Sequence, residues 1–404
     1  MKSKPSTWYR ILLILYVPIT SGEFMIDKTT FLEPTLSATQ YLEPAFFALE
    51  KEHIFAHEWV CVGREEEIPK AGDYLQIDLL GQSILVVRTR EGHINAFYNV
   101  CRHRGCQLSL LETVKPDLES CISSGNFPGV IQCKYHAWTY DLEGQLRAAP
   151  YLNDVVNKDH FSLYKVDLES WGGFMFVNLE PEAAKAKNHT LGIQLGREID
   201  YSKNYPLKDL KTAKRIRYEV KANWKVILEN YNECYHCAGV HPELCEVVPA
   251  FKENGGNSLD WIDGIPHREG AYTFTLSGTT NRETFPGLSE AEKVNHKGQL
   301  IFPNLMVSLA AEHVAAFTLF PKDPDTTVII CDFLFHPDEI AKLDFNPNDT
   351  VDFWDVVNKQ DWVICAATQR GMHSRKFNQG YYAPMEDMSA DMRRYIEAKL
   401  GHIK

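Results

Sequence analysis

Apolar and polar side chains alternate over residues 74–79 and again over 83–88, so each run predicts a strand with one buried face. "REGH" at 90–93 supplies the turn into a third run, 95–100. "AWTYDLEGQLRAA" (137–149) reads as a further hairpin with Glu143 and Gly144 in its turn. Ahead of these strands, apolar residues three and four apart predict a helix over 43–57. "WGGFMFVNL" (171–179) closes the strand-rich region, and a polar stretch running to about residue 212 reads as a junction. Past it, a strand at 215–220 leads into a helical pattern from Trp224. Strands are expected at 271–276, 305–309, 315–320 and 327–334, and the chain ends in helices. The longest is "NDTVDFWDVVNKQDWVICAATQRGM" (348–372), with capping residues at 348–350, and Ser389 is placed to cap the last.

A chain of 404 residues is longer than one hydrophobic core usually organises, so two domains or one large composite are expected; the division is set at 58–175 and 176–404, with a lead and helix at 25–57. Residues 1–24 have a basic start, a short apolar run and small residues, the outline of a signal peptide. Pro18 interrupts the run and Met25 opens ordinary soluble sequence, so the segment is read as a poorly structured extension. No stretch is long and apolar enough for a bilayer, and no membrane role is expected.

With 44% hydrophobic and 24% charged residues the chain has an ordinary globular composition. A net charge of -12 argues against a nucleic-acid partner and suits a cationic small molecule or a basic redox protein. The ten cysteines are scattered rather than dense, which predicts a cytoplasmic protein with reduced thiols and makes the sequons at Asn188 and Asn348 chance matches.

Two groups of residues carry chemistry. "CRHRGC" (101–106) and "CKYH" (133–136) each put a cysteine before a histidine on a hairpin loop. Cys101, His103, Cys133 and His136 suit a [2Fe-2S] cluster with both sulfurs on one iron and both imidazoles on the other, or a tetrahedral zinc site. The ligand order favours the cluster, because each loop then serves both irons, whereas zinc fingers group cysteines and then histidines. The second group is "NWKVILENYNECYHCAGVHPEL" (223–244). A five-residue step from His236 to His241 turns about 140° beyond a full helical turn, so the two imidazoles meet only if the helix breaks, which Gly239 and Pro242 permit. Asp361, on a stripe with Trp354, Val357, Ile364 and Thr368, is the carboxylate chosen to complete a facial triad, ahead of Asp355 and Glu386.

"CRHRG" and "CKYHAW" resemble the ligand loops of Rieske proteins. Cys106 stands where respiratory-type members carry one half of a loop disulfide, but Tyr135 stands where the other would be, and Cys121 is the remaining conceivable partner of a thiol expected to be free. With "ENYNECYHC" and "QDWVICAATQRG" in the same order, the chain after residue 40 is similar to the α subunit of Rieske-type non-haem iron oxygenases, nearest the choline, carnitine and glycine betaine monooxygenase branch. That resemblance implies an α+β fold: an all-β Rieske domain and a helix-grip (START-like) catalytic domain whose antiparallel sheet wraps a long C-terminal helix. It also implies a homotrimer, a Rieske [2Fe-2S] cluster, a mononuclear Fe(2+) and O2 as co-substrate. Glu233 is assigned as the acid bridging His236 to a cluster histidine, His136 or His103, of the neighbouring subunit, and Asn230 accompanies it as a catalytic candidate.

The activity implied is hydroxylation of a quaternary ammonium compound at carbon beside nitrogen. The alternatives are an aromatic ring-hydroxylating or O-demethylating oxygenase and, in another class, a pure electron carrier. A quaternary ammonium group needs aromatic faces, and Trp261, Tyr272, Phe274, Phe317, Phe320 and Phe335 are the candidates to line its pocket. No well-placed GxGxxG is present, so a separate NAD(P)H-dependent reductase of flavin or ferredoxin type is expected.

Overall fold

The computed structural model describes residues 32–110, 122–152, 154–257 and 259–401. The extension over 1–24 and Cys121 lie outside them. Strand β1 (Glu33–Ser37) leads into helices Ala38–Leu42 and Pro44–Glu50, the second opened by a proline whose missing N–H costs nothing in a first turn. A π turn, Lys51–Phe55, completes the helical stretch expected over 43–57.

Next come β2 (Val60–Arg64), β3 (Asp73–Leu79), β4 (Gln82–Arg88), β5 (Ile94–Tyr98) and β6 (Ile122–Asn126). Short strands β7 (Ile131–Gln132), β8 (Thr139–Tyr140) and β9 (Leu146–Ala148) follow, then β10 (Lys165–Trp171) and β11 (Phe174–Asn178). Among the described residues they form a seven-stranded antiparallel sheet, β2-β11-β10-β5-β4-β3-β6, and a small sheet β7-β8-β9. The β3–β4 turn is tight because Leu80 and Gly81 both take positive φ, the handedness that matches strand twist. Side chains from both sheets, including Leu85, Phe97, Leu108, Ile131, Trp138, Tyr140 and Leu146, make one core, and the two Cys–His loops emerge from its edge.

The second half is built on β12 (Lys211–Val220), β13 (Ile265–Pro266), β14 (Asn295–Ile301), β15 (Leu305–Leu309), β16 (His313–Asp323) and β17 (Thr326–Phe335). Their order, β12-β17-β16-β15-β14-β13, is antiparallel throughout. The long helix Asn348–Met372 packs its buried face here, and β18 (Gln379–Tyr382) pairs with β1 before the final helix, Ala390–Leu400. No helix of the described residues is long and apolar enough to cross a membrane.

Four readings of the pattern are corrected. Residues 271–276 turn rather than extend: Tyr272 and Thr273 N–H groups both donate to the Gly278 carbonyl, and the Thr275 hydroxyl donates to the Thr279 carbonyl. The threonines thus satisfy local backbone instead of a sheet ladder. The polar junction of 180–212 holds short helices whose Leu191 and Leu195, with Tyr205, Leu207 and Leu210, fill a core between the two sheets. On the long helix the buried stripe runs through Trp354, Val357, Cys365 and Gln369, leaving Ile364 and Thr368 exposed. Ser389 does stand at its helix start, but its hydroxyl donates to the Glu229 carbonyl, 2.6 Å away.

The two sheets are fastened by polar side chains that act as backbone partners. Arg64 is buried and donates to the carbonyls of Gly172, Leu207 and Leu210. Asn304 pairs with both the N–H and the C=O of Cys61 at 2.9 Å, and Gln194 does the same for Trp59. Each bond satisfies a main-chain group that the junction would otherwise bury unpaired.

Candidate metal centres

The first pair of loops is organised by depth. Cys101 and Cys133 are buried while His103 and His136 are exposed, with their rings 4.7 Å apart. Each loop turns through a left-handed residue, Gly105 in one and Ala137 in the other, and each is closed by a bond back to its cysteine carbonyl. Trp138 stacks under His103 at 5.0 Å, and the Tyr140 hydroxyl lies 3.3 Å from the Cys101 sulfur. Sulfurs on the floor and imidazoles on the rim fit a [2Fe-2S] group with one iron buried and the other facing outward. Cys106 is a free thiol directed at the Gln107 carbonyl.

The second group is built by a helix that stops. Asn223 caps Trp224–Tyr231 through Lys225 N–H, and after Tyr231 the chain leaves helical geometry. Glu233 therefore sits in an irregular stretch, not one helical turn before His236, and reaches it differently. Its carboxylate accepts from the N–H groups of Tyr235 and His236 and meets Nδ1 of the His236 ring. The second break is at His241 itself, which takes an extended ψ of 70° before Pro242, a position where proline disfavours helix. Gly239 stays inside the short helix Cys237–Val240.

These breaks bring His236, His241 and Asp361 together, with ligand atoms all within 4.8 Å. Asp361 Oδ1 is 2.8 Å from His241 Nε2 and 3.3 Å from His236 Nε2. Burial pushes the Asp361 carboxyl up, but its bonds to the two imidazoles prevail and hold it below the usual range. Burial disfavours a charged His236, yet Asp361, Cys237 and Glu233 together raise it to about 12. Two imidazoles and one carboxylate converging from two elements, with no other cation among them, fit a divalent transition metal with open positions. Asp355 is engaged elsewhere, accepting from Tyr218, and Glu386 caps Ala383 N–H.

Supporting residues complete the surroundings. Asn230 Nδ2 lies 3.3 Å from His236 Nε2. Gln360 Oε1 is 2.8 Å from His241 Nδ1 and its amide donates to Glu243, which orients the ring with Nε2 toward Asp361. Behind the helix, Glu229 accepts from Tyr41 and Tyr382, and Lys225 is fully buried against Glu50, which also accepts from Trp224. Sequence reasoning missed Gln360 and Glu229. Gln360 carried one signal, its place beside the chosen aspartate, while Glu229 looked like any polar residue of a helix.

The aromatic candidates divide. Phe274 packs on Trp354 at 5.0 Å and Phe317 on the same indole at 5.9 Å, while Trp261 reaches Phe274 through His296. Phe320 is three residues from Phe317 on β16 and so points to the opposite face of the sheet. Tyr272 turns its hydroxyl to the Thr280 carbonyl, and Phe335 sits at the strand end against Arg282 and Phe345. Trp354, not chosen for the pocket, is the ring that joins the others.

Residues 58–161 match the family model for the Rieske [2Fe-2S] domain, and 207–401 the model for the ring hydroxylating alpha subunit (catalytic domain). The chain is 30% identical over 367 residues to the carnitine monooxygenase oxygenase subunit of Escherichia coli (strain K12), covering 88% of this chain and 90% of that one. It is 29% identical over 374 residues to the glycine betaine monooxygenase oxygenase subunit of Chromohalobacter salexigens, covering 85% and 80%. Its fold is similar to the quaternary ammonium Rieske monooxygenase CntA, with a TM-score of 0.70 at 26% identity over 91% of this chain and 96% of that one. The CntA structure is described as bearing on carnitine oxidation and inter-subunit electron transfer.

Proposed function

The chain belongs to the Rieske-type ring-hydroxylating oxygenase α subunits, O2-incorporating oxidoreductases that use a Rieske cluster and a mononuclear iron, and from that premise we propose that its substrate is a small quaternary ammonium compound hydroxylated at carbon beside nitrogen. The observation that carries this reading is the convergence of His236, His241 and Asp361, in a chain similar to carnitine and glycine betaine monooxygenases.

In this reading Cys101, His103, Cys133 and His136 hold the [2Fe-2S] cluster in a domain over 58–175, and His236, His241 and Asp361 hold Fe(II) in a domain over 176–404. When bound, the cluster supplies single electrons and the iron activates O2. The protein's own residues position these groups. Gln360 accepts from His241 Nδ1–H and so keeps Nε2 free to bind metal, while Glu233 orients the His236 ring. In the same reading Glu233 relays charge from a neighbouring subunit's cluster histidine. Phe274, Phe317, Trp354 and Trp261 offer π faces to a cation that no single counter-charge could desolvate as well. The electrons come from a separate NAD(P)H-dependent reductase, and the enzyme works as a homotrimer in the cytoplasm.

The test supplies purified protein with a compatible reductase, NADH and a panel of choline, betaine, carnitine and aromatic acids. Product is expected from the quaternary ammonium compounds. Turnover of aromatic acids alone would reject the substrate assignment. Asp361→Asn should lower bound iron from about three atoms per chain to about two while the visible absorbance of the cluster persists. Iron analysis beside the absorbance spectrum checks it.

A further inference from the structure

Strand register sets a patch of small residues on the face of the sheet that packs under the long helix. Gly298 pairs with Ser308 and Ser308 with Ala315, so three small residues line up across β14, β15 and β16 on one face of the sheet. His296 shares that face on β14, two residues from Gly298. A methyl group added at Gly298 would meet Trp261 at 3.0 Å and the Tyr231 hydroxyl at 3.5 Å, so both side chains pack over the glycine. Phe274 covers the far end, its ring 4.7 Å from His296, 5.0 Å from His267 and 5.0 Å from Trp354. The patch adjoins the metal-binding cluster: Tyr231 follows Asn230, which touches His236, and Trp354 lies two helical turns from Asp361, about 10 Å along the axis.

Three buried polar atoms here have no partner: His296 Nδ1, His267 Nε2 and Ser308 Oγ. Their hydrogen-bonding character is fixed by what lies behind them. His267 Nδ1–H donates to the Val294 carbonyl at 2.9 Å, so Nε2 presents a lone pair. The His296 ring bonds the Leu309 carbonyl through its other nitrogen, so Nδ1 presents another. Burial keeps both imidazoles neutral, lowering His267 to about 4 and His296 well below its ordinary value. Leaving such groups unpaired is unfavourable, and a donor from a ligand would recover the loss. A carboxylate would instead meet two lone pairs. Of the cations flanking this end of the sheet, Arg282 is taken by Glu312 and Asp349 and Lys297 by Glu292, while Arg268, exposed beside His267, donates to the Glu269 and Ser277 carbonyls.

Resting on the quaternary ammonium reading above, we infer that His267, His296 and Ser308 select a substrate that ends in an uncharged hydroxyl, a trimethylammonium alcohol, over one that ends in a carboxylate. The two imidazoles accept the hydroxyl proton in turn or together, and Ser308 can donate to its oxygen.

Anaerobic titration calorimetry on the enzyme loaded with both metal centres tests this with choline, choline O-methyl ether and glycine betaine. Choline should bind about tenfold tighter than either, the size of one hydrogen bond in a site built to make it. In His296→Phe and Ser308→Ala the preference should shrink while O-methyl ether affinity is kept. Thermal unfolding should show Ser308→Ala as stable as the parent, because an unpaired polar atom is removed. Equal binding of choline and its ether would mean that these atoms hold water only, and tighter binding of betaine would mean that a carboxylate is read. Either result overturns the inference and leaves the quaternary ammonium reading standing. Binding by none of the three would overturn both.

Discussion

Glu229 shows how much a single side chain behind the metal site matters. Burial pushes its carboxyl up to about 7, even though Tyr41 and Tyr382 both donate to it and Lys225 is near. Between pH 4.5, its ordinary value, and 7 the folded state keeps a proton that the unfolded state has released. Folding therefore binds protons in this window, and stability from this group is present below it and lost as pH rises through it. The loss is on the order of 3 kcal/mol for a shift of that size. In Glu229→Gln that dependence should vanish, so melting temperatures of parent and variant, measured from pH 5 to 8, should diverge toward alkaline pH. Parallel curves would show that Glu229 titrates alike in both states.

At the level of elements, the decisive features are the places where helices stop. Asn223 starts the helix before the metal ligands. Its side chain accepts from Lys225 N–H and donates to the carbonyls of Tyr41 and Pro324, tying three segments together. Asn223→Ala removes a cap and strands two buried carbonyls, so chemical denaturation should report a loss on the order of 2–3 kcal/mol. The Cys–His loops and the strands that carry them were legible because ligand spacing and alternation are local properties. So was the long helix, although its buried stripe had to be shifted from Ile364 and Thr368 to Cys365 and Gln369. Residues 271–276 misled because threonine and phenylalanine alternate in a turn as they do in a strand. β14 was missed because "NHKGQLI" hides a buried strand behind polar side chains and a glycine. The meeting of His236 and His241 was legible only as a requirement, since the breaks that achieve it depend on backbone angles at His241 and a turn held by Glu233.

For the whole molecule, the proposed function makes the exposed rim of His103 and His136 the outlet of the first centre and Glu233, which meets the His236 ring, the contact at the second. If charge passes between subunits, two defective chains should repair one another. Cys133→Ser removes a ligand from the first centre and Asp361→Ala one from the second, so neither alone should turn over. Oligomers formed by co-expressing them should regain activity, and coupled NADH oxidation with product measurement would detect it. Persistent inactivity of well-mixed oligomers would restrict transfer to within one chain.

The buried guanidinium of Arg64 and the side-chain amides of Asn304 and Gln194 rivet the first sheet to the second through main-chain atoms on both sides. These bonds oppose a hinge motion between the two sheets. On the proposed reading, with the cluster bound, electrons are then expected to leave the first centre without a domain swinging within the chain. Once reductase is saturating, thickening the solvent with sucrose should leave the internal transfer rate unchanged, and stopped-flow traces at rising viscosity would reveal any drag.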